Sequence, residues 1–127
     1  MQLNVEGLSA EKRHIIKSLA EIHHINVICL QETQVNDDKS DCLTISGFEI
    51  ISYTFHAKNG RATYVHSDIS DAARVSSSPC CDVIHVGGYH TVNVYKPPTK
   101  HWNDTNLPPV LPHPAVLVGD FNSHHPD

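Results

Sequence analysis

Apolar and polar positions repeat along this chain with two periods, one helical and one extended, and they divide it into a single helix and a series of short strands. Residues 3–5 read as a strand that turns at Gly7, after which Ser9 is placed to cap a helix with Glu11 in its first turn. Over residues 11–23, Ile15, Ile16, Leu19 and Ala20 recur at helical spacing and predict one apolar stripe, with Lys12, Arg13, Lys17 and Glu21 toward solvent. Residues 27–30 are apolar without interruption, the pattern of a strand covered on both faces. The polar residues 34–41 predict a surface loop. Strand patterns follow at residues 48–53, 62–66, 83–86, 90–95 and 115–118, with Asn59-Gly60 and Gly87-Gly88 as two-residue hairpin turns between antiparallel neighbours. Residues 96–114 hold six of the eight prolines plus Trp102, which predicts an extended, stiffened surface loop.

A length of 127 residues suits one domain, or part of one, and 39% hydrophobic content gathered into short runs predicts folding rather than disorder. The formal charge of −5 excludes a generally basic nucleic-acid wrapper, whose affinity would come from many Lys and Arg contacts to phosphate. It leaves room for a nuclease, because bound divalent cations cancel carboxylates clustered at a site. Cys29, Cys42, Cys80 and Cys81 lack the C-x-x-C spacing, so reduced thiols and an intracellular compartment are expected. No apolar run approaches the roughly 20 residues that cross a bilayer, and no signal-peptide layout opens the chain, so no membrane partner is expected. A phosphate-binding Gly-rich loop, a Gly-x-Ser-x-Gly elbow and a dinucleotide fingerprint are all missing. NTP hydrolysis, serine-type acyl transfer and redox chemistry therefore have no support, and no small-molecule cofactor is implied.

The candidate chemistry lies where apolar runs end. Asn4 and Glu6 flank Val5, Glu32 follows the run 27–30, Tyr95 and Lys96 close the run 90–95, and Asp120 and Asn122 sit in Gly119-Asp120-Phe121-Asn122 after 115–118. Alternate spacing aims Asn4 and Glu6 to one side of the chain, and Asp120 and Asn122 likewise. Taken singly, each segment is an ordinary polar turn. Four of them at strand ends of one sheet can converge on a hard cation and a phosphate, with a phenol and an ammonium from Tyr95 and Lys96 meeting phosphate oxygens. His124 and His125 adjoin the Asp120 turn, and at most one of two adjacent side chains on extended backbone reaches a given site, His124 being the candidate.

At these residues the chain resembles the endonuclease/exonuclease/phosphatase superfamily, the group of the apurinic/apyrimidinic endonucleases and DNase I. More narrowly, Asn93-Val94-Tyr95-Lys96-Pro97-Pro98 and Gly119-Asp120-Phe121-Asn122-Ser123-His124-His125 resemble the endonuclease domain encoded by non-LTR retrotransposons, which accompanies a reverse transcriptase and nicks DNA to prime it. The resemblance implies an α/β fold, a four-layer sandwich of the DNase I-like type. It also implies Mg²⁺, with Mn²⁺ as an alternative, held by Glu32 with support from Asn4. Tyr95 would contact the scissile phosphate, Asp120 would orient the attacking water and Asn122 would hold the phosphate. Lys96, Glu6 and His124 complete the substrate side. DNA is the implied partner, and a nuclear location is implied for a full-length parent.

Two departures from the family pattern matter. Pro98 stands where DNA-repair members often carry Asn, which favours the retrotransposon branch. The family's late Asp and terminal Ser-Asp-His have no counterpart, so residues 1–127 are expected to be one partial, C-terminally truncated domain, the N-terminal half or somewhat more, with impaired or absent activity. Two alternatives stay open at this point: a non-catalytic remnant or interaction fragment, and a phosphatase of the same superfamily.

Overall fold

A helix makes the first parallel strand pair possible. The computed structural model describes residues 1–96 and 114–120. It begins with β1 (Gln2–Asn4), α1 (Ala10–Ile22) and β2 (Val27–Gln31), where α1 is the crossover that lets β1 and β2 run parallel. Ser9 caps α1 as the sequence predicts, its hydroxyl accepting from the Lys12 amide at 3.2 Å. At the other end His24 takes a left-handed conformation (φ 53°), and the amides of His24 and Ile25 bond back to Glu21 and Ala20, closing the helix with a Schellman turn. Lys12 Nζ donates to the Val5 carbonyl at 2.6 Å, tying the start of α1 to the turn that leaves β1.

Six further strands follow: β3 (Phe48–Thr54), β4 (Arg61–His66), β5 (Ala72–Ser77), β6 (Cys81–Val86), β7 (Tyr89–Tyr95) and β8 (Ala115–Asp120). They complete two four-stranded mixed sheets, ordered β1-β2-β4-β3 and β5-β6-β7-β8. Each sheet holds one parallel pair at its edge, β1 with β2 and β7 with β8, and the remaining pairs are antiparallel. This is the two-sheet α/β arrangement that the resemblance implies, with α1 on the outer face of the first sheet. Ile16 and Ala20 pack there against Ile28, Leu30, Ala62 and Tyr64 in one buried cluster.

Several local expectations need correction. Only Ile16 and Ala20 of the helical stripe are buried, whereas Ile15 is 56% and Leu19 39% exposed, lining an open apolar groove with Leu3 of the edge strand and Val5 just beyond it. The polar stretch contains a 3₁₀ segment, Asp37–Leu43, because Leu43 reaches the core and receives the buried Tyr64 hydroxyl on its carbonyl at 2.6 Å. Asn59-Gly60 is not a two-residue turn, since six residues, 55–60, join β3 to β4. Gly87-Gly88 is one, with both residues at positive φ as the right-handed twist of a tight hairpin demands. β5 carries too little apolar alternation to be predicted and is an exposed edge. The proline-rich stretch predicted as a loop falls on residues 97–113, outside the described residues apart from its ends.

The sheets meet through polar side chains. Arg61 on β4 and Asp82 on β6 are 3% and 0% exposed and form a two-point ion pair, Nε to Oδ2 at 2.8 Å and Nη2 to Oδ1 at 3.2 Å. The remaining guanidinium donors reach the carbonyls of Pro79 and Ser78 and the Thr54 hydroxyl, and Ser77 donates to Asp82. Nearby, Gln31 donates to Asn93 at 2.7 Å, and Asn93 donates to the carbonyls of Leu30 and Ala62 and to the Thr63 hydroxyl. A buried polar layer is tolerable only when its members are satisfied, and these are.

Two stability outcomes follow. Arg61→Met should cost about 3–5 kcal/mol in urea unfolding because it strands a buried carboxylate. Arg61→Met with Asp82→Leu should recover much of that loss, and equal losses in the single and double variants would show that the ion pair does not carry the effect. Cys29 also reports on burial, which pushes its thiol from 9.0 up to about 12, the N-terminal ammonium opposing and Asp82 adding to the rise. A raised thiol keeps the folded state protonated where the unfolded chain ionises, so its contribution is complete below pH 9 and fades toward about 12. Unfolding midpoints measured from pH 8 to 11 should fall less steeply in Cys29→Ala than in the parent.

Candidate active site

The site grows from the two parallel pairs. Parallel partners end on the same side, so β1 and β2 deliver Asn4 and Glu32 together, while β7 and β8 deliver Tyr95 and Asp120 together. Tyr95 and Asp120 are register partners, and the Lys96 amide donates to the Asp120 carbonyl at 3.0 Å. Tyr95 lies two residues beyond Asn93 and shares its face, toward the first sheet. Beyond the last ladder residues, the Val5, Gly7 and Leu8 amides donate to the carbonyls of Gln31, Glu32 and Thr33. That run holds two tight turns against each other, with Glu6 at φ 46° and Glu32 at φ 54°.

Across the sheets, one amide gathers the acids. Asn4 Nδ2 donates to Glu32 Oε2 and, at 2.7 Å, to Asp120 Oδ2. Its Oδ1 accepts from the Glu6 amide at 3.2 Å, which fixes the side-chain orientation. Two carboxylates from different sheets are thus held at one point by a neutral donor. Tyr95 stands within their field: burial raises its phenol above the ordinary value of 10.0, and the negative charges of Glu32 and then Asp120 raise it further. Its hydroxyl donates to Asn59 Oδ1 at 3.3 Å. The two carboxylates offer oxygen ligands, which suit a hard divalent cation better than zinc. Among the described residues, no group of three or more His, Cys, Asp or Glu is placed to bind a metal unaided.

The profile of the Endonuclease/Exonuclease/phosphatase family matches residues 1–127. The chain belongs to this family. None of the curated proteins compared with it matches. Among solved structures, the family member is similar to an AP endonuclease from Archaeoglobus fulgidus, with a TM-score of 0.58 and 19% identity over 76% of this chain and 40% of that one. It is similar also to the 3′ phosphatase NExo from Neisseria bound to product DNA hairpin, with a TM-score of 0.56 and 21% identity over 74% of this chain and 39% of that one. The AP endonuclease LMAP from Leishmania major gives 0.56 and 19%, over 74% and 38%. These likenesses establish the fold. The family member spans about 40% of the length of the solved structures it matches.

Of the residues singled out from sequence, Asn4, Glu32, Tyr95 and Asp120 come together, from the strand ends of two facing sheets rather than of one. Glu6 is exposed in the turn after β1 and joins through its backbone. Lys96 is buried at 5% exposure and adjoins the site through its amide. Asn122 and His124 lie outside the described residues. Sequence reasoning missed Asn59 at the rim and the layer of Gln31, Arg61, Asp82 and Asn93 that aligns the sheets. The available signal was slight: one charged or amide residue in each of the apolar-rich strands, Arg61 in β4, Asp82 in β6 and Asn93 in β7. No helix among the described residues is long and apolar enough to cross a membrane.

The phenol offers a direct check. Alkaline titration of tyrosinate absorbance should place the Tyr95 midpoint above 10.0 in the parent, and lower in Glu32→Gln and Asp120→Asn, with the larger drop in Glu32→Gln. A raised phenol favours the folded state up to the unfolded midpoint and loses that contribution as pH climbs beyond it. Unchanged midpoints in both variants would separate Tyr95 from the two acids.

Proposed function

We propose that this chain carries the metal- and phosphate-binding part of a Mg²⁺-dependent phosphodiester hydrolase that acts on DNA, of the type encoded by non-LTR retrotransposons. The observation that carries the reading is the Asn4 amide bridging Glu32 and Asp120, with the Tyr95 phenol in the field of both. The branch assignment rests on the Tyr95-Lys96-Pro97-Pro98 and Gly119-Asp120-Phe121-Asn122 segments. DNA as substrate is supported by the likeness to the Neisseria 3′ phosphatase, which was solved bound to a product DNA hairpin. A nuclear location for a reverse-transcriptase-associated parent belongs to the same reading.

In this reading Glu32 holds Mg²⁺, or Mn²⁺, with Asn4 fixing the orientation of the carboxylate. What the cation supplies when bound is stabilisation of charge on the phosphate and the leaving oxygen. Asp120 accepts a hydrogen bond from the attacking water and draws its proton toward Oδ, on the far side of the phosphate from the leaving group. The Tyr95 hydroxyl, protonated at neutral pH as any phenol is and shifted further upward by burial and its acidic neighbours, donates to a phosphate oxygen. Asn122 and Lys96 hold the phosphate, with Glu6 and His124 at its rim.

The competing reading is a non-catalytic interaction fragment, favoured by the share of about 40% that the chain spans in the matched structures. Mn²⁺ binding followed by electron paramagnetic resonance should weaken at least about 10-fold in Glu32→Gln and in Asp120→Asn, and equal affinities in all three proteins would remove the site assignment. Supercoiled plasmid with Mg²⁺ should be nicked by the parent and not by either variant. Metal binding without nicking would support the interaction fragment, and release of phosphate from a phosphomonoester without nicking would move the assignment to the phosphatases.

A further inference from the structure

The loop between β3 and β4 reaches the site at one point, the carboxamide of Asn59, which receives the Tyr95 hydroxyl at 3.3 Å. That contact is not a chance meeting of side chains, because the backbone around Asn59 is held from both sides. The Asn59 amide donates to His56 Nδ1 at 3.0 Å, and the Lys58 amide donates to the same nitrogen at 3.1 Å. The Asn59 carbonyl accepts from the Gln34 amide at 2.7 Å, and the Gly60 carbonyl accepts from Thr33. Gly60 sits at φ +93°, and a Cβ there would stand 2.5 Å from the Thr33 hydroxyl and 3.0 Å from the Thr54 carbonyl. The chain that pins Asn59 is therefore residues 33–34, which directly follow Glu32 in the same turn. One turn sets both the carboxylate and the partner of the phenol.

The chemistry of that partner is specific. A phenol has a single proton, and here it is committed to Asn59 Oδ1. A phosphate oxygen can only accept, so for Tyr95 to serve a phosphate its proton must leave Asn59. A carboxamide allows this without breaking the contact: after a half-turn its NH₂ donates to the phenolic oxygen, and the phenolic proton is free to point at the phosphate. A carboxylate could not make that exchange. Resting on the phosphodiesterase reading of this site, we propose that Asn59 is a positioning residue for Tyr95, holding its hydroxyl in the substrate-free site and, by turning over, freeing the O–H to donate a hydrogen bond to a phosphate oxygen.

The test uses the whole chain. In alkaline titration of tyrosinate absorbance, with Tyr95→Phe subtracted to remove Tyr53, Tyr64 and Tyr89, Asn59→Asp should raise the Tyr95 midpoint by about one pH unit while the circular dichroism spectrum is retained. An unmoved midpoint would overturn the proposal whatever the protein does to DNA. Binding of a fluorescein-labelled DNA duplex in Mg²⁺ supplies the second arm. Asn59→Ala and Tyr95→Phe should each weaken it about 3- to 10-fold, and the double variant should be no weaker than Tyr95→Phe alone. Losses that multiply, or a Tyr95→Phe protein that binds as the parent does, would refute the exchange of hydrogen bonds. Mn²⁺ affinity should be unchanged in Asn59→Ala. Should Glu32→Gln also leave Mn²⁺ affinity unchanged, the metal assignment falls while the titration result on Asn59 and Tyr95 is unaffected.

Discussion

The ion pair between Arg61 and Asp82 sets the relation between the two sheets, and everything at the site depends on that relation. Apolar side chains between sheets can slide by a residue at modest cost, whereas a guanidinium and a carboxylate in two-point contact cannot. Gln31 and Asn93 add a second directional link a short way along the same seam. Desolvating such groups costs much of what their attraction returns, so the seam is a poor source of stability. Its effect is positional: only one alignment satisfies its donors and acceptors.

With that alignment fixed, the site follows from strand direction. A parallel pair needs a crossover, and α1 provides it between β1 and β2. β7 and β8 form the corresponding pair in the second sheet. Each pair brings two carboxyl-terminal ends to the same side, and the seam places the two pairs opposite one another. An antiparallel neighbour at either place would have sent one residue of the four to the far end of the molecule. The Endonuclease/Exonuclease/phosphatase chain thus gathers groups more than a hundred residues apart, Asn4 and Asp120, into one hydrogen bond.

Much of this was legible in the residues. Ser9 and the spacing of Ile16 and Ala20 announce the helix, Gly87-Gly88 announces its hairpin, and Asn4, Glu32, Tyr95 and Asp120 are recognisable because each follows an apolar run. The seam was not legible, since Arg61 and Asp82 stand just before the strand patterns at 62–66 and 83–86, where they read as turn residues, and Asn93 is a lone amide within its run. Only knowledge of the second sheet turns those positions inward. β5 escaped for the opposite reason, because an edge strand exposed over nearly its whole length leaves no apolar alternation to detect. Ile15 and Leu19 were over-read: their spacing matches a buried stripe, but the sheet beneath them ends at the three-residue β1. Asn59 lacked any signal, as its importance depends on a loop length and a fold-back that local sequence does not encode.

The Asn4 amide has one more consequence. Two carboxylates drawn together from separate sheets would ordinarily repel and splay. Here a neutral dipole stands between them and keeps their spacing without neutralising their charge. The fold therefore holds the two acids side by side through a shared hydrogen-bond donor, and their negative field stays concentrated at one end of the sandwich.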